Sequence, residues 1–65
     1  MEEPRGEELA RSVAGQVKAA LASVGQALLE LDEAGVTQGE EVASLVNADA
    51  MLTDALILLR RRLAP

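Results

Sequence analysis

Between Leu31 and Glu41 the sequence carries a helix stop, a tight turn and a helix start, and on either side lies a long segment with apolar residues at helical spacing. Gly35 stands where a helix C-terminus needs a residue free to enter the left-handed region. Val36 after it is placed to meet Leu31 as in a Schellman motif. Thr37 offers a hydroxyl to the first free amides of a following helix, and Glu40 has the capping-box spacing to reach back to the Thr37 amide. The spacing therefore predicts a first helix over about residues 7–34, a turn at 35–37 and a second helix over about 38–63. So short a connection forces the helices antiparallel. The expected fold is all-α, a single helical-hairpin domain over residues 1–65.

In the first segment Ala10, Val13, Val17, Ala20, Val24, Ala27 and Leu31 step by three and four, and Ala14, Leu21 and Leu28 repeat every seven residues beside them. Together they make a broad apolar stripe of the kind a bundle helix carries. The opposite side, with Ser12, Gly15, Ala19, Ala22, Gly25 and Leu29, is small or apolar, and Lys18 is the only charge between Arg11 and Glu30. That side is either the plain outcome of alanine's helix preference or a second packing surface. In the second segment Val42, Leu45, Leu52, Leu56, Leu59 and Leu63 mark the seam, and Asp49 interrupts it. Val46, Met51, Ile57 and Leu58 spread apolar surface beyond what one facing helix covers.

A chain of 65 residues has too little interior to be comfortable alone, and with no cysteine and no histidine it has neither disulfides nor the usual zinc or haem ligands to help. Aromatic core-fillers are absent too. Oligomerisation is the remaining device. Two hairpins paired as a four-helix bundle cover both stripes with the fewest copies, so a homodimer is expected, with a tetramer permitted by the small-residue side. The expected interface is Val17, Leu21, Val24, Leu28 and Leu31 on the first helix and Leu45, Asp49, Leu52, Leu56 and Leu59 on the second. Asp49 reads either as a buried polar contact that fixes register or as a stripe-edge carboxylate reaching Ser23 or water.

The layout resembles the Rop family of plasmid RNA-modulating proteins, short hairpins that dimerise into a four-helix bundle. Ser44-Leu45 followed by Leu52, and the acidic turn after Leu31, carry the likeness over part of the second helix. What the resemblance implies is the bundle architecture and not RNA binding, because there is no phenylalanine and the first helix offers only Arg5, Arg11 and Lys18.

A net charge of -5 disfavours nonspecific attachment to nucleic acid or to an anionic membrane surface. The one basic patch is Arg60, Arg61 and Arg62, which either contacts an anion or acidic partner or complements the helix dipole and pairs with Glu7 and Glu8. Glu30, Asp32, Glu33, Glu40 and Glu41 form an acidic tip without the alternating ligands of an EF-hand, so a solvated tip is expected and no metal. Ser12, Ser23, Ser44, Thr37 and Thr53 have no histidine to activate them, and no glycine-rich phosphate loop follows a strand. No cofactor is expected, and no enzymatic activity.

Met1-Glu2-Glu3-Pro4 lacks the basic start and apolar core of a secretory signal, and no uninterrupted apolar run approaches the length of a membrane span, so a cytoplasmic location is expected. The functional expectation is an oligomerisation, scaffold or adaptor module that pairs with itself or with another helical protein. Two alternatives are a small regulatory nucleic-acid- or regulator-binding module acting through Arg60–Arg62, and an antitoxin-like docking subunit of a hetero-complex.

Overall fold

The computed structural model describes residues 4–63, with side chains from residue 6. Two helices, α1 (Pro4–Glu33) and α2 (Glu40–Leu63), pack along each other as a hairpin of 54 × 16 × 14 Å. Helix α1 starts earlier than the expected residue 7, at Pro4, whose missing N–H would have had no intrahelical partner in a first turn. Residues 1–3 and 64–65 of the expected domain lie outside the described residues.

The end of α1 closes as a full Schellman motif. The Val36 amide donates to the Leu31 carbonyl at 2.8 Å and the Gly35 amide to the Asp32 carbonyl at 2.9 Å, while Gly35 takes a φ of 83°. The start of α2 differs from the Thr37 capping box. The first helical bond runs from the Ala43 amide to the Gly39 carbonyl at 3.0 Å, so Gly39 is the N-cap and Glu40 and Glu41 fill the first turn. Gly39 has a φ of 124°, a conformation that glycine adopts at little cost, and the Glu41 carboxylate folds back over it. A glycine two residues downstream thus takes the cap from Thr37, and both carboxylates still meet the positive end of the helix dipole.

Burial shows which face of each helix meets the other. On α1 the covered side chains run Ala10, Ala14, Val17, Leu21, Val24, Leu28 and Leu31, alternating steps of four and three, with Ala27 half-buried beside them. On α2 they run Val42, Leu45, Asp49, Leu52, Leu56, Leu59 and Leu63, alternating three and four, with Ala48, Thr53 and Ala55 half-buried beside them. This is the knobs-into-holes repeat of a two-stranded seam. Read antiparallel, it sets Leu31 level with Val42, Leu21 with Leu52, and Val17 with Leu56. Two expected members of the α1 seam, Val13 and Ala20, are exposed instead. The bulkier Leu21 and Leu28, expected as a second row, take the positions facing α2, since they have more apolar surface to hide.

The hairpin hides little. Among the described residues only Ala10 (6% exposed) and Leu56 (8% exposed) are buried, and the rest of the seam is half-buried.

Candidate self-association surface

All ten residues expected at an interface lie on the seam inside one hairpin: Val17, Leu21, Val24, Leu28, Leu31, Leu45, Asp49, Leu52, Leu56 and Leu59 are half-buried or buried between α1 and α2. Except for Leu56 they keep part of their surface open, as two helices alone cannot enclose a seam. The larger open apolar area lies beside them. Leu9, Met51 and Leu58 are 62%, 71% and 61% exposed, and Val13, Leu29, Val46 and Ile57 are also exposed.

Helical phase sorts these side chains onto two flanks. One flank carries Val13, Ala20 and Ala27 of α1 beside Ala48 and Ala55 of α2, with Leu9, Met51 and Leu58 further out on the same side. From Val13 to Ala27 and from Ser44 to Leu58, no residue pointing to that flank is charged. The other flank carries Arg11, Lys18 and Asp32 of α1 beside Val46, Thr53 and Arg60 of α2, with Leu29 and Ile57 further out. The first flank is therefore the easier one to desolvate. It includes Leu9, Val13, Met51 and Leu58, none of them among the ten expected interface residues. In the sequence Met51 and Leu58 stand out as apolar surplus beside the stripe and Val13 counts as a member of it, and helical spacing alone assigns none of them to one flank.

Among the described residues the two ends carry opposite net charge, the arginines of the open end outnumbering Glu7 and Glu8. At the turn, Glu30, Asp32, Glu33, Glu40 and Glu41 are all exposed; at the open end, Arg60, Arg61 and Arg62 are exposed in the last turn of α2. Arg61 and Arg62 also line a shallow depression with Leu58 and Leu59. Local polar bonds stay on the outer surface, with the Gln16 amide donating to Ser12 Oγ at 3.3 Å and the Gln26 amide to Glu30 Oε2 at 3.2 Å. Asp49 is half-buried on the seam, and Ser23 is exposed. No buried side-chain polar atom among the described residues lacks a partner, so the Asp49 carboxylate is not sealed away unsatisfied. Among the described residues no three carboxylates gather as a metal site.

By length and composition alone, α2 is apolar enough to cross a membrane, with a mean hydropathy of 1.6 over its best window. Its leucines are used differently in the hairpin, where Leu45, Leu52, Leu56 and Leu59 face α1. Asp49 and Asp54 lie near the middle of the helix, and a carboxylate at that depth disfavours insertion by about 3 kcal/mol.

Comparison with known protein families, with curated proteins and with solved structures gives no match for this chain. What the geometry defines is a helical hairpin with an open, uncharged flank and, among the described residues, ends of opposite net charge.

Proposed function

We propose that this chain is a non-enzymatic self-association module whose hairpins pair into a four-helix bundle, serving as a scaffold or adaptor in water rather than within a bilayer. The carrying observation is the exposure of Leu9, Met51 and Leu58 on a hairpin that, among its described residues, buries only Ala10 and Leu56. Apolar surface left wet costs about 25 cal/mol per Å², and a domain this small has little stability to spare. A second hairpin is the nearest source of a matching apolar face.

Thermal unfolding followed by circular dichroism over a wide concentration range tests the reading. Folding coupled to association makes the midpoint rise with protein concentration. A sharp midpoint that stays fixed across that range contradicts it.

A further inference from the structure

We propose that two copies pair through the uncharged flank as an antiparallel twofold dimer, the acidic turn of each hairpin lying beside the arginine end of the other. This rests on the self-association proposed above and adds the face and the direction. Three features of the flank support it.

The first is charge. The turn end presents the five exposed carboxylates from Glu30 to Glu41, and the open end presents Arg60, Arg61 and Arg62, with Arg11 nearby, outnumbering Glu7 and Glu8 among the described residues. Antiparallel pairing sets opposite signs together at both ends. Parallel pairing sets carboxylates against carboxylates at one end and guanidinium groups against guanidinium groups at the other.

The second is size. The large side chains of this flank, Val13 and Leu58 among them, lie toward the open end, and small ones, Ala27 and Ala48, toward the turn. At 1.5 Å per residue Ala20 is about 25 Å from the turn, close to the middle of the 54 Å hairpin. A twofold axis at that level brings Val13 of one copy to Ala27 of the other and Leu58 to Ala48, large against small. Parallel pairing matches large with large and small with small, which overpacks one half and leaves voids in the other.

The third is area. A flank 54 Å long and 16 Å wide offers about 800 Å² per subunit, the scale of a standard stable interface. A twofold axis lying in that interface and perpendicular to the helices also places α1 against α1 and α2 against α2 of the second copy. Parallel pairing instead places α1 against α2.

Engineered cysteines read the arrangement cleanly because the chain has none of its own. Full-length Ala20→Cys, Val13→Cys, Ala27→Cys and Ala55→Cys variants, each checked for helicity and for mass by light scattering, are linked by oxidation or a short bifunctional maleimide. Expected are efficient self-linking of Ala20→Cys, and a mixed dimer when Val13→Cys and Ala27→Cys are combined. A mixed dimer only from Ala20→Cys with Ala55→Cys overturns the antiparallel direction and leaves self-association standing. No linkage in a chain that scatters as a dimer overturns the choice of flank. A single-chain mass for the unmodified protein overturns the underlying self-association itself.

Discussion

Leu58→Ala separates a hairpin that works alone from one that is covered. In the isolated hairpin Leu58 is 61% exposed, so truncating it changes the stability of the hairpin itself little. In the proposed dimer the same side chain is enclosed. At that exposure roughly 100 Å² of leucine surface is open to water, and covering it contributes about 2.5 kcal/mol per subunit at 25 cal/mol per Å². Alanine keeps about a third of that area, so the substitution removes about 1.5 kcal/mol per subunit and about 3 kcal/mol per dimer. Since 1.4 kcal/mol is tenfold in affinity, the dissociation constant should rise about a hundredfold. Sedimentation equilibrium on the wild-type and substituted proteins measures that ratio. An unchanged constant refutes the reasoning, because Leu58 would then be no more covered in solution than in the single hairpin.

Other substitutions probe the seam and its ends. Leu56→Ala removes the most buried large side chain and should destabilise the fold by about 2–5 kcal/mol, read by chemical denaturation at fixed protein concentration. Gly35→Ala meets nothing within 4 Å, so its effect is the backbone penalty of a left-handed alanine, about 1–2 kcal/mol of lost stability in the same assay. Asp49→Leu replaces a seam carboxylate by an apolar knob and should raise the thermal midpoint, by a gain of about 1–2 kcal/mol; a lowered midpoint would show that the carboxylate makes a favourable contact in the assembled protein. Little retention on nucleic acid at physiological salt is expected of the unmodified chain, and replacing Arg60, Arg61 and Arg62 together by alanine should not change it. A strong, salt-sensitive retention lost in that variant would favour the alternative regulatory role.

Local chemistry makes the end of α1 legible in the sequence. Gly35 followed by Val36, five residues after Leu31, has one economical solution, and both Schellman hydrogen bonds are present. The N-terminus of α2 is less determinate because Thr37 and Gly39 both suit an N-cap; the cap falls to the glycine, which also takes the positive φ of the turn. The α2 seam, including Asp49, follows from leucine spacing, whereas the α1 seam is displaced from its expected row. Apolar residues fill several adjacent rows there, and periodicity alone does not say which row faces the partner. Burial resolves it in favour of Leu21 and Leu28. The same ambiguity hides the uncharged flank: Val13 reads as a member of the stripe and Leu58 as surplus in one dimension, and the two lie on one side only once the seam is fixed.

Self-association is most directly tested by light scattering on a sizing column, with the unmodified chain loaded from low micromolar to near-millimolar concentration. A mass of about twice 6.8 kDa that falls toward the single-chain value only on dilution is the predicted result. A fully helical species that keeps the single-chain mass at the highest concentration would contradict it, and would mean that Leu9, Met51 and Leu58 stay in water without a second copy to cover them.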